Sequence, residues 1–240
     1  MKRISISSAE EVVLQISKEI EDYSCPIMNW KDMTEQQIWM ELVSCILGSQ
    51  VSYEHANSAL KHLSCSGLLN IQNLIKEPSK FEKKISEELS KPLFAPHRIN
   101  GLGRKFRYPN VKAKQICQTA AKIYSNKYSL HRLLQESKSD SDARRGIMNN
   151  CTGIGPKQAS LFLRNIGYSS SLAIIDSQVL KFMRKKGMAV NNPGHIRHQS
   201  EYFNLERTFL QYAQEVNINP GDLDMAIWTV MRMAFVGENR

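Results

Sequence analysis

"NNCTGIGPKQASLFLRNIG", residues 149–167, sets two glycines one residue apart, then a proline and a lysine, at the mouth of an apolar run. Glycine accepts positive φ and lets backbone pass close to a neighbour, so Gly153 and Gly155 are expected to build a tight turn. Proline suits the first turn of a helix, where its missing N–H is no loss, and this places a helix start at Pro156. Ala159, Phe162, Leu163 and Ile166 follow at helical spacing and mark a buried face. Upstream, "ARRGIMNN" supplies a helix that ends at the turn. The pattern resembles a helix-hairpin-helix, whose glycine turn and open helix N-terminus can donate backbone N–H groups to a DNA phosphate without reading sequence. A plain helical packing corner is the alternative, and Lys157 alone does not separate the two.

Outward from the hairpin, the chain reads as helices joined by short turns. Segments such as "EQQIWMELVSCILGSQ" and "LERTFLQYAQEV" carry apolar residues at helical spacing, and no succession of alternating strands with turn pairs occurs. The expected class is all-α. Breaks fall near Pro26, Pro78, Pro92 through Gly103, Ser137 to Asp142, and Asn191 to Gly194, none long enough for a flexible interdomain linker. Two helical lobes sharing a DNA-binding cleft fit this pattern. Residues 1–48 with 172–240 are expected to form the N-/C-terminal lobe, and 49–171 the central lobe ending in the helix-hairpin-helix.

At 240 residues and 42% hydrophobic content the chain can bury a substantial core. No apolar stretch reaches the roughly 18 residues of a membrane span, and acidic residues interrupt the N-terminus before a signal-peptide core forms. The expectation is a soluble, cytoplasmic protein, nucleoid-associated through DNA and monomeric. The five cysteines, Cys25, Cys45, Cys65, Cys117 and Cys151, are odd in number and scattered, which argues against a disulfide framework, a structural zinc or an iron–sulfur cluster. They are expected to be reduced and mostly buried. His195 and His198 lie in a turn-rich stretch without a third convincing ligand, so neither a metal nor a cofactor is expected. "NGLGRK" lacks the spacing of a nucleotide-binding P-loop, and the late methionines read as core.

The net charge of +9 points to an acidic polymer as partner. Its distribution is more informative than its sum. In "PHRINGLGRKFRYPNVKAKQ", residues 96–115, Arg98, Arg104, Lys105, Arg107, Lys112 and Lys114 stand without an acidic residue, while glycines and a proline forbid a continuous helix. A phosphate-binding loop and an ordinary solvated basic surface both fit. Downstream of the hairpin, "SLAIIDSQVLKFM" drives an apolar run into Asp176, which can cap the helix beginning at Ser177.

The combination of "GIGPKQASLFLRNIGY" with "LAIID" resembles the helix-hairpin-helix DNA glycosylase superfamily. Within it, the chain is most similar to the second type of 8-oxoguanine DNA glycosylase/lyase, found in archaea and some bacteria. The resemblance rests on the "FLRN-GY" and "AIID" strings, the earlier "ELVSCIL" helix, and the late Leu223, Asp224, Ile227 and Trp228. It runs from about Trp39 onward, and the first 30 residues add little.

This resemblance implies an activity and a set of roles. Lys157 takes the place of the lysine that attacks sugar C1′, and Asp176 that of the carboxylate that stabilises positive charge on the sugar. The target base must leave the duplex, so a pocket and a gap-filling residue are needed. Gln50 occupies the position where relatives place a polar wedge, with a surface glutamine as the alternative. Asp224 and Trp228, four residues apart, would share a helix face and form the base pocket, against the alternative of a buried Trp and a solvated acid. Gly153, Gly155, Arg104, Lys105, Arg107 and Gln178 complete the expected DNA contacts. The implied partner is double-stranded DNA containing a damaged or modified base.

Two departures bear on the substrate. Gln178 stands where many relatives have a histidine, and the tail "TVMRMAFVGENR" is longer than the subgroup's usual short, lysine-ended terminus. Excision of an oxidised purine, 8-oxoguanine first, is the leading expectation. Removal of another modified base, or a non-catalytic helix-hairpin-helix DNA-binding module, are the alternatives.

Overall fold

The structure is a computed structural model that describes residues 6–22, 29–98, 100–125, 128–189, 192 and 194–234. These residues form twelve helices: α1 (Ile6–Asp22), α2 (Glu35–Gly48), α3 (Tyr53–Cys65), α4 (Ile71–Lys76), α5 (Pro78–Ser90), α6 (Pro109–Tyr124), α7 (Leu130–Glu136), α8 (Asp140–Asn150), α9 (Pro156–Asn165), α10 (Ser177–Lys185), α11 (Gln199–Glu215) and α12 (Pro220–Ala234). The all-α expectation is met. Among the described residues the extended pairing is a single antiparallel bridge between Phe94 and Arg104, and no helix is long and apolar enough to cross a membrane.

The chain divides into two compact units, Met28–Ile166 and Met1–Ile27 with Gly167–Arg240. The expected boundaries at 48/49 and 171/172 are therefore displaced, the first by a whole helix. The cause lies in α2. Ile38, Trp39, Leu42, Val43, Cys45, Ile46 and Leu47 form a buried face that wraps about half of it, and so wide an apolar face needs cover from several neighbours. α3, α6, α7 and α9 supply that cover, so α2 is the spine of the central unit. Its start is fixed by a capping box: Gln37 N–H donates to Thr34 Oγ1 at 3.3 Å and Thr34 N–H to Gln37 Oε1 at 2.7 Å.

In the unit containing both chain ends, α1 and α10 pack on α12. Its core comprises Phe182, Met183, Phe209, Leu223, Ile227 and Tyr202 among others. Of the cysteines, Cys45, Cys117 and Cys151 are buried and Cys65 is exposed, all with free thiols; Cys25 lies outside the described residues.

Candidate active site

The hairpin forms where the glycines stand. α8 ends at Asn150, residues 151–155 turn, and α9 begins at Pro156. Gly153 has φ +80°, which favours glycine, and a Cβ there would meet the movable end of the Gln115 side chain. Gly155 differs from the expectation of positive φ. It is the N-cap of α9 at φ −99°, ψ −177°, extended backbone open to any residue, and a Cβ there would meet nothing. Nothing among the described residues requires glycine at 155. Its small size keeps clear the approach to a helix start that no side chain caps, where backbone N–H groups remain available to an outside acceptor.

Lys157 is the second residue of α9 and half-buried. Its neighbour Gln158 turns inward, and Gln158 Nε2 donates to the Cys45 carbonyl on α2 at 3.1 Å. The Cys45 thiol is pushed up to about 12 by burial first and by Glu41 second, with Lys157 pulling the other way. Lys157 thus acts electrostatically on the same stretch of α2 that Gln158 holds.

A second buried side chain closes that end of α2. Lys112 Nζ donates to the Ile46 carbonyl at 2.7 Å, and burial pushes its pKa down to about 8. Lys112 therefore leaves the set of basic loop residues with which its sequence groups it. The last carbonyls of a helix carry partial negative charge, so an ammonium and an amide N–H are favourable partners there. Immediately beyond, Gln50 is exposed with φ +62°. Arg107 Nη1 donates to the Gln50 carbonyl at 3.4 Å, and the Arg107 guanidinium lies 4.7 Å from the centre of the Tyr108 ring. Tyr108, half-exposed and at φ +61°, was not singled out from sequence. An aromatic residue inside a basic run is a weak signal, and its left-handed backbone has no sequence mark.

Arg104 and Lys105 are exposed in the loop between α5 and α6. Phe94 and Arg104 exchange backbone hydrogen bonds at 3.0 and 2.9 Å. Beneath them His55 is buried against Phe94 and Phe106, with ring centroids 6.0 and 4.9 Å away. Burial and then Arg104 hold its pKa below the ordinary histidine value. Aromatic anchoring from below leaves the basic side chains on the outer surface.

In the other unit, Asp176 is the N-cap of α10, and its Oδ1 accepts from Gln178 N–H at 2.8 Å and Val179 N–H at 2.9 Å. Gln178 Oε1 is enclosed and has no hydrogen-bond partner among the described residues. The expected pairing of Asp224 with Trp228 is not found. Asp224 is 2% exposed, and its Oδ2 accepts from the Ile174 N–H at 2.8 Å. Trp228 is 37% exposed, with the Arg232 guanidinium 4.9 Å from its ring. Four residues along a helix leave an offset of about 40°, and here it separates inside from outside. Residues 235–240 of the tail lie outside the described residues. Among the described residues no group of three or more His, Cys, Asp or Glu is arranged to hold a metal ion.

A glycine hairpin with a lysine at the second position of its second helix, set in an all-helical chain, defines a helix-hairpin-helix DNA glycosylase fold. The crystal structure of the Methanocaldococcus jannaschii 8-oxoguanine DNA glycosylase has this fold, with a TM-score of 0.70 at 22% identity over 94% of this chain and 92% of that one. The same organism's 8-oxoguanine glycosylase/lyase in complex with a 15mer DNA containing 8-oxoguanine gives a TM-score of 0.65 at 21% identity, covering 92% and 89%. The family model for 8-oxoguanine DNA glycosylase matches residues 16–218, and the chain belongs to that family. The 8-oxoguanine DNA glycosylase/AP lyase of Saccharolobus islandicus is 31% identical over 202 residues, 82% of this chain and 84% of the relative.

Proposed function

We propose that this chain is a bifunctional DNA glycosylase/AP lyase that flips 8-oxoguanine out of double-stranded DNA, excises it and cleaves the strand through a Schiff base on Lys157. The observation that carries this reading is Lys157 at the N-terminal turn of α9, behind Gly153 and an uncapped helix start, in a chain 31% identical to a protein named for both activities.

The chemistry assigns each residue a task. As the C1′–N9 bond breaks, its electron pair leaves with the base, which takes up a proton, and the Asp176 carboxylate stabilises the positive charge left on the sugar. The neutral Lys157 amine donates its lone pair to C1′. The amine proton passes to O4′ as the C1′–O4′ bond opens, which leaves a hydroxyl on the sugar and a protonated imine on Lys157. Removal of a C2′ proton then expels the 3′ phosphate, and water returns the amine. The α9 N-terminus holds a backbone phosphate beside the reacting nucleotide. Gln50, with Arg107 and Tyr108 in its neighbourhood, fills the gap left by the flipped base.

Removal of a different modified base is the second reading. Gln178 in place of histidine and the engagement of Asp224 with Ile174 favour it. Borohydride trapping on duplexes that each carry one modified base decides between them. We expect a covalent adduct on the 8-oxoguanine duplex, lost in Lys157→Gln while duplex binding persists. An adduct confined to another lesion would transfer the substrate to the second reading. No adduct on any lesion, or one that survives Lys157→Gln, would overturn the proposed chemistry.

A further inference from the structure

Residues 172–175, "LAII", lead directly into Asp176, and all four are buried. They belong to neither a helix nor a strand. A buried segment without a ladder must find other partners for its backbone N–H and C=O groups, because each one left unmet gives up its hydration for nothing.

Two side chains provide them. The Tyr202 hydroxyl, from α11, donates to the Ala173 carbonyl at 2.9 Å and accepts from the Ile175 N–H at 3.3 Å. The Asp224 carboxylate, from α12, accepts from the Ile174 N–H at 2.8 Å. Both residues are 2% exposed. The Asp176 N–H closes back onto the Ile174 carbonyl at 3.0 Å, and the carboxylate then caps α10. Between the Ala173 C=O and the Asp176 N–H, all three N–H groups and the Ala173 and Ile174 carbonyls are met by Tyr202, Asp224 or the turn itself.

We infer that Tyr202 and Asp224 are positioning residues for Asp176: they fix the height and direction at which residues 173–175 deliver that carboxylate to α10. The inference rests on the reading of Asp176 as the group that stabilises the sugar cation. A capped helix start tolerates small shifts of its N-cap, whereas electrostatic stabilisation of a transition state requires the charge in one place. Loss of the brace therefore strikes base release before it strikes the fold. It spares cleavage of a preformed abasic site, which has no base to expel and presents its aldehyde carbon to Lys157.

The test compares single-turnover release of 8-oxoguanine with cleavage of a preformed abasic site. Tyr202→Phe removes one hydroxyl at constant shape. We expect base release to slow about tenfold, equivalent to ~1.4 kcal/mol, with abasic-site cleavage within about twofold of the parent. Asp224→Ala is expected to slow base release further, and Asp224→Asn, whose amide oxygen still accepts from the Ile174 N–H, to recover most of the rate. Equal loss on both substrates in Tyr202→Phe, or no recovery in Asp224→Asn relative to Asp224→Ala at matched thermal stability, would overturn the inference. Asp176→Asn, run in parallel, separates the two levels. If it is itself non-selective, the role assigned to Asp176 fails; if it is selective and Tyr202→Phe is not, the brace fails alone.

Discussion

At the scale of single residues, the contrast between Lys157 and Asp224 separates what a sequence announces from what it conceals. Lys157 follows a turn in which Gly153 takes a positive φ, and a proline fixes the start of its helix, so the local string alone places the amine. Asp224 has no such frame. Its direction is set by residues fifty positions away, where the Ile174 N–H needs an acceptor, and helical spacing cannot foresee that. Trp228 is left as the candidate for the base pocket, half-exposed under Arg232. Trp228→Ala is expected to reduce excision of a lesion much more than cleavage of a preformed abasic site. Stacking on a base is worth ~1–3 kcal/mol, about 5- to 150-fold if the contact persists in the transition state. Equal loss on both substrates, with a lowered melting temperature, would identify Trp228 as a packing residue.

At the scale of elements, the end of α2 organises the central unit. Lys112 from α6 and Gln158 from α9 take consecutive carbonyls, Ile46 and Cys45, and the chain then turns through Gln50. The apolar run of α2 and the start of α9 were legible in the sequence. The burial of Lys112 was hidden because its neighbours in the string are exposed cations, although it shares helical spacing with Ile116 and Ala120 on the buried side of α6. Burial lowers its pKa from 10.5 to about 8, and the sign of the consequence follows. Between those values the unfolded chain binds the proton and the folded chain does not, so the contribution of Lys112 to stability rises with pH across that window. The buried thiols Cys45 and Cys117, pushed up to about 12, act oppositely above their ordinary pKa, so the comparison must be with a variant. The stability of the parent minus that of Lys112→Met is expected to increase by on the order of 2 kcal/mol between pH 7 and 9.5. A pH-independent difference in denaturant unfolding would show that Lys112 titrates normally and is not enclosed.

At the scale of the whole molecule, two features remain: a discontinuous unit built from both chain ends, and a net charge of +9. Helical content and the hairpin were legible because local patterning decides them. The allegiance of α2 was not, since a wide apolar face records that the helix is covered but not by which neighbours. The charge makes a quantitative claim on DNA binding. Arg104 and Lys105 stand on the outer surface of a loop anchored by Phe94 and Phe106, where they can meet phosphates without reading bases. Arg107 is a different case, because it also holds the Gln50 carbonyl and stacks on Tyr108, and its removal would mix electrostatics with loop geometry. The clean variant is therefore Arg104→Gln with Lys105→Gln. Each lost phosphate contact lowers the slope of log affinity against log salt by about 0.9 for duplex DNA, so the pair is expected to lower it by about 1.8. Affinity at low salt should fall alike for lesion-containing and undamaged duplexes, and the adduct on Lys157 should still form at saturating DNA. An unchanged salt slope would make this loop an ordinary solvated surface and move the phosphate contacts to the hairpin.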